Sequence, residues 1–275
     1  MTEREAVEAV DEPLTVDSIA ADLTDVGVSG GDTLLVHASL SSLGWVAGGA
    51  QAVVEGLQAV VEPAGTLVVP TFTGQYSDPA TWSNPPVPDD WVLDMPERLP
   101  PFRPAVTPSR EMGDVAECLR NYPDAVRSRH PEYSFAAWGA DADAIVADHD
   151  FDHALGEGSP LAEVYDRDGS VLLLGVGHEV NSSLHLAEYR ADLDVETVDH
   201  RAPVPRDGAV ETVEYDDIAK RTEGFEALGA AFERDVGAET DAIGAETGAI
   251  GAGAATMLDQ PMLVDYAVDW LETHR

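Results

Sequence analysis

The chain has 275 residues and is 44% hydrophobic, long enough to bury a core and too apolar to be disordered. It carries 15 basic and 52 acidic residues, a net charge of −37, which excludes a duplex nucleic-acid binder and an anionic-membrane binder, since both need a basic surface. No apolar run reaches a membrane-spanning length, and Met1–Glu12 is acidic without the basic and apolar regions of a signal peptide, so a soluble cytoplasmic protein is expected. Lys220 is the only lysine; the other basic residues are arginines. Acids spread along the whole chain with almost no lysine fit adaptation to high salt, where self-repulsion is screened. A cationic substrate is the other reading of the charge.

Residues 1–13 are expected to form a loose acidic arm before a single α/β domain over 14–275. Leu14–Val26 reads as a helix. Asp32–His37 is a short apolar run after Gly30-Gly31, the pattern of a buried strand. A Gly/Ser-rich turn, Ala38–Gly49, leads into the helix Ala50–Glu62, and Thr66–Pro70 is the next strand. This is a βαβ unit, which implies parallel strands. Between Ser77 and Pro108 lie half of the 18 prolines, with Trp82 and Trp91; so long a loop in a compact domain suggests a lid or binding wall.

Regular structure is expected to resume at Gly113–Tyr122, where the only cysteine, Cys118, shares a helix face with Val115, Leu119 and Tyr122 and is assigned to the core. Further helices are expected near Asp141–Ala147 and Pro160–Asp166. Ser170–Gly175 reads as a buried strand, and Ser182–Arg190 as a helix after a glycine-rich turn. A strand is expected at Val210–Tyr215 and helices at Phe225–Asp235 and Pro261–Glu272. The tandem heptad Gly237–Ile243 and Gly244–Ile250 is too short for a solenoid and reads as a duplication in a surface connection.

Gly27-Val-Ser29-Gly-Gly31 matches the serine-hydrolase pattern, but a helix precedes it and a strand follows, the reverse of the required order. Gly175-Val-Gly177 lacks a third glycine at Val180 for a dinucleotide loop. His178, His185 and Glu188 offer a metal set, though not in a zinc-motif pattern. Without metal, His185 and Glu188 lie three apart on one helix face, where a carboxylate holds an imidazole in one tautomer and makes it a general base. The turn after His37 brings backbone amides to a helix N-terminus, suited to phosphate or an oxyanion.

Five segments in order resemble the aminoglycoside 3-N-acetyltransferases. They are VHASLSSLGWVAGGAQAVVEGLQAVVEPAGTLVVPTFT (36–73), SREMGDVAECLR (109–120), RSRHPEYSFAAWG (127–139), GSPLAEVYDRDGSVLLLGVGHEVNSSLHLAEYR (158–190) and MLVDYAVDWLE (262–272). The resemblance implies an α/β domain with a central, mixed, partly parallel sheet flanked by helices, distinct from the common N-acetyltransferase fold. It implies acetyl transfer from acetyl-CoA to an amine of an aminoglycoside, with the same chemistry on another small amine or amino-sugar as an alternative; the residues themselves leave a further alternative, a metal-dependent hydrolase using His185.

The resemblance also assigns the base chemistry to His185 and Glu188. It places the cofactor on His37, Ser39, Leu40, Ser41, Ser42, Gly44, Val46, Thr71, Met112, Gly113, Arg127, Ser128 and His130, with Arg127 and His130 against its phosphates. Asp216, Asp217 and Glu223 are candidates for binding substrate ammonium groups. The expected partner is a small polyamine or amino-sugar substrate; no metal site, nucleic acid or membrane partner is expected.

Overall fold

The computed structural model describes residues 2–83, 85–206, 208–237 and 244–275. The acidic stretch expected to be a loose arm contains a helix, α1 (Glu3–Glu8), opened by a reciprocal capping box between Thr2 and Glu5. Thr15 and Ser18 cap α2 (Val16–Asp25) in the same way, and its Ile19 and Leu23, four apart, both face inward. The expected βαβ unit follows as β1 (Thr33–Ala38), α3 (Ala50–Val61) and β2 (Thr66–Pro70), with a 3-10 turn at Leu40–Ser42 between β1 and α3.

After β2 the proline-rich segment forms a 3-10 turn at Pro79–Thr81 and the single helical turns α4 (Asp89–Val92) and α5 (Met95–Arg98), since proline breaks longer runs. Then come α6 (Gly113–Arg120), β3 (Val126–Arg127), β4 (Phe135–Gly139), α7 (Ala142–Ala147), α8 (Pro160–Tyr165), β5 (Ser170–Leu174) and α9 (Ser183–Arg190). The chain closes with β6 (Thr197–Arg206), β7 (Ala209–Ile218), α10 (Phe225–Gly237), β8 (Ala245–Ile250), β9 (Gly253–Asp259) and α11 (Gln260–His274).

Among the described residues seven strands form one sheet in the order β3-β4-β2-β1-β5-β9-β8. The middle three, β2, β1 and β5, are parallel, with Leu34 opposite Leu67 on one side and Ser170 on the other. Antiparallel pairs extend the sheet at both ends. Alternation along the strands divides the core in two. Leu34, Val36, Leu67, Val69, Leu172 and Leu174 pack under α2, α3 and α6. Leu35, Val68, Val171 and Leu173 pack under α7 to α11. The mixed, partly parallel sheet flanked by helices is the architecture expected from the sequence.

The structure also differs from expectation toward the C-terminus. The second heptad copy is no surface connection: Ala245–Ile250 is the edge strand β8, paired along its length with β9. Residues 238–243 of the first copy lie outside the described residues. The isolated strand expected at Val210–Tyr215 is β7, and its partner β6 was not foreseen. Pro203 and Pro205 disguise β6, and a two-stranded ribbon tolerates them because each strand has a free edge. The proline-rich segment packs on this ribbon. Phe102 N–H donates to Pro203 O at 2.8 Å, and Tyr76, Phe102, Ala202 and Tyr215 form a small third core. Among the described residues no helix is long and apolar enough to cross a membrane.

Candidate active site

In an open sheet with parallel strands, ligands bind beyond the carboxyl ends at the point where connections leave in opposite directions. Here that point is β1, between β2 and β5. A cavity of about 650 Å³ opens there. Its floor is the strand ends Val36–Ala38, Val69-Pro70 and Val176, and its walls include Ser39–Ser41, Met112, Gly113, Phe72, Tyr133, His185, Lys220 and Phe225. Gly113 has φ +82° and sits so near β1 that a Cβ would lie 3.2 Å from Ala38 O. Gly175, φ +68°, turns the chain out of β5 where a Cβ would meet Ser42 Cβ at 2.8 Å. Both positions need glycine for conformation and closeness.

His185 and Glu188 face each other on α9, with His185 Nδ1 2.5 Å from Glu188 Oε2. The buried carboxylate only accepts, so Nδ1 carries the hydrogen and Nε2 keeps its lone pair. Asn181 fixes the start of α9 by accepting from Ser183 N–H through Oδ1 at 3.1 Å. Buried Gln260 donates to Ser183 Oγ at 2.9 Å. Phe225 meets the His185 ring edge to face at 5.0 Å. His37, on β1, is buried and accepts from Ser182 N–H at 3.3 Å. Burial first, then the neighbouring His185, pushes its imidazole down to about 3, so it stays neutral.

In the 3-10 turn, Ser39 N–H is spent on Leu174 O and Ser42 N–H on Ser39 O. The N–H groups of Leu40 and Ser41 have no protein acceptor among the described residues. The Ser42 hydroxyl turns back to Ser39 Oγ at 2.9 Å. Thus His37, Ser39, Leu40, Ser41, Met112, Gly113 and His185 all line one cavity, with Glu188 behind His185.

Other residues expected at the cofactor lie elsewhere. Val46 is in the core beside Leu14, and Gly44 packs against Val10. Thr71 is fully buried, its hydroxyl on Ser134 O at 2.9 Å. Arg127 does not present its guanidinium to a phosphate. Its donors go to Thr71 O (2.6 Å), Thr107 O (2.5 Å) and Pro104 O (3.1 Å), and burial pulls its pKa down to about 9. Ser128 and His130 are fully buried; Ser128 Oγ faces His149 Nδ1 at 2.9 Å, and His130 bridges the Tyr133 N–H and Phe151 O. Ser128 and His130 lie in the connection between β3 and β4 with their side chains buried, while Arg127 on β3 stays partly exposed.

The expected substrate carboxylates do not reach this cavity either. Asp217 is fully buried and ion-paired to Lys220, and it also accepts from Tyr189 OH. Asp216 lines a separate cleft between the ribbon and the proline-rich segment. Glu223 is exposed on the loop before α10. The carboxylates that do line the cavity are Glu111, Asp114 and Glu179. His178 pairs with Glu233 on α10 at 2.9 Å, apart from the His185–Glu188 pair.

Sequence reasoning missed Lys220, Tyr133, Phe72 and Phe225 in the cavity wall. The singularity of Lys220 was the one available signal. Burial pulls the Lys220 ammonium down, with Asp217 opposing, and it lies 4.0 Å over the Tyr133 ring.

The aminoglycoside 3-N-acetyltransferase family model matches residues 35–272. Aminoglycoside N(3)-acetyltransferase VII of Streptomyces paromomycinus is 35% identical over 99% of this chain and 96% of its own. The crystal structure of YokD from Bacillus subtilis is 38% identical, covers 98% of each chain and superposes with a TM-score of 0.92. The AAC-IIIb binary complex with CoASH is 28% identical over 95% of this chain and 97% of that one, with a TM-score of 0.83. The match runs through β1, the 3-10 turn and α9, the elements that build the cavity, and the chain belongs to the aminoglycoside 3-N-acetyltransferase family of acyltransferases.

Proposed function

We propose that this acyltransferase moves the acetyl group of acetyl-CoA to the 3-amino group of an aminoglycoside, with His185 as the base. The observation that carries the reading is the His185–Glu188 pair set into the wall of a cavity that is also lined by Leu40 and Ser41, whose amides have no protein acceptor among the described residues. The apolar lining of Val36, Val69 and Phe72 suits a thioester arm. CoASH bound to AAC-IIIb, and the acceptor named in the S. paromomycinus relative, support the two substrates.

His185 Nε2 takes the proton as the amine nitrogen bonds to the acetyl carbon. The Leu40 and Ser41 N–H groups receive the charge gathering on the carbonyl oxygen, a contribution often worth about 3 kcal/mol. Glu188 stabilises the imidazolium while it lasts. The C–S bond breaks, and His185 returns the proton to the thiolate, leaving the acetamide and CoASH. Neutral His37 beside it adds no competing positive charge. Glu111, Asp114 and Glu179 at the cavity attract the remaining ammonium groups of a polycation.

The unit that carries this chemistry is residues 14–275, and its place is the cytoplasm, where acetyl-CoA is made. The −37 charge fits a cell with molar internal salt. The test is mass spectrometry of acetyl-CoA reactions with a panel of aminoglycosides, amino-sugars and other amines in molar KCl. NMR of the product locates the new amide. One acetyl on the 3-amino group supports the reading; acetylation confined to other amines contradicts it.

A further inference from the structure

Glu188 has two carboxylate oxygens, and only Oε2 faces His185. Oε1 accepts from the Arg275 guanidinium and, at 3.3 Å, from Arg221 N–H. Arg275 caps the end of α11, and the packing of α11 on α9 brings it there. Its other terminal nitrogen donates to the carbonyls of Arg221 and Glu223 at 2.8 and 2.9 Å. The guanidinium plane lies over Phe225, 5.6 Å from the ring centroid, and Phe225 in turn meets the His185 ring. The Arg275 side chain is therefore held at carboxylate, carbonyl and aromatic contacts at once, which only a planar fork of donors can satisfy.

A carboxylate hinged on three single bonds is free to turn away from an imidazole three residues back. Pinning one oxygen removes that freedom and leaves the other oxygen aimed at Nδ1. We propose that Arg275 is a positioning residue for acetyl transfer, holding the Glu188 carboxylate so that Oε2 meets His185 Nδ1. The effect on turnover rests on the reading of His185 as the base; the effect on geometry does not.

The test measures kcat and KM for Arg275→Met and Arg275→Lys, each with Glu188 intact and with Glu188→Gln. Arg275→Met is expected to lower kcat about tenfold, as loss of an outer orienting partner does, with both KM values within about twofold. In the Glu188→Gln background the same change should cost less than about twofold, because the two residues act as one unit. Arg275→Lys should recover part of the loss. An equal fall in both backgrounds, or a loss confined to the acceptor KM, overturns the proposal and makes Arg275 a latch for the loop carrying Lys220 and Thr222.

Proton NMR supplies a readout independent of turnover. The downfield Nδ1–H resonance, assigned by its absence in His185→Ala, should move upfield or vanish in Arg275→Met and survive in part in Arg275→Lys. An unchanged resonance overturns the clamp even if the protein acetylates aminoglycosides. A wild type that acetylates nothing tells against the proposed function and leaves the resonance test standing.

Discussion

His185 Nδ1 and Glu188 Oε2 stand 2.5 Å apart on one face of α9, the imidazole at the cavity wall and the carboxylate buried behind it. The contact sets which ring nitrogen carries the hydrogen and supplies the negative charge an imidazolium needs. Glu188→Gln keeps the shape and removes the charge. Turnover is expected to fall about tenfold, less than on removal of the imidazole, since a base of lower strength remains. The same variant leaves the Arg275 charge without its counter-ion, so the melting temperature should fall as well. Steady-state kinetics beside thermal melts check both; unchanged kcat contradicts the orienting role.

Cys118 sits on α6, half-buried against the core, and burial together with Glu55 raises its thiol pKa. Such a thiol is a poor nucleophile. Cys118→Ala should keep kcat within about twofold. Intact-protein mass spectrometry after incubation with acetyl-CoA alone should show no added acetyl group. Acetyl trapped on Cys118 means a two-step mechanism and refutes direct transfer.

The sequence showed those elements whose side-chain pattern is local. β1, α3, β2, β5, α9 and α11 all follow from periodicity and their turns. β6 stayed hidden because Pro203 and Pro205 break the strand signature, and β8 because its Gly/Ala heptad has no apolar alternation. His185 and Glu188 were legible because they are three residues apart. Arg275 was not, since it reaches Glu188 from 87 residues away through helix packing. The RSRHP motif was visible, but the burial of Ser128 and His130 comes from the fold around them, including His149 and Phe151, each 21 residues from its partner.

Buried neutral histidines give the fold an acid-sensitive side. Burial holds His37 at about 3 and His149 at about 4, below their ordinary value near 6.5. Their stabilising contribution is complete above about pH 6.5 and is lost as pH falls toward those values, because unfolding lets them charge. Melting temperature should decline from pH 6.5 to 5, before ordinary carboxylates titrate. His149→Gln, which leaves the cavity untouched, should flatten that decline. An identical slope in the variant argues against His149 as a source.

At −37 net charge, self-repulsion weakens the fold when the Debye length is about 30 Å, at 0.01 M salt, and far less when it is about 3 Å, at 1 M. Melting temperature should rise across that range of KCl. Affinity for a polycationic acceptor should fall over the same range as salt screens Glu111, Asp114 and Glu179. A melting temperature that drops steadily with KCl contradicts the salt-adaptation reading. Acceptor affinity indifferent to KCl contradicts a polycationic substrate.

The most direct test of the account is His185→Ala, read by two measurements on the same preparation: kcat for aminoglycoside acetylation, and acetyl-CoA Kd by calorimetry. Loss of a general base without loss of the cofactor cavity predicts a kcat lowered by about 100-fold or more and a Kd changed by less than about threefold. A kcat near the wild-type value, or a Kd that weakens in step with kcat, contradicts His185 as the base of acetyl transfer.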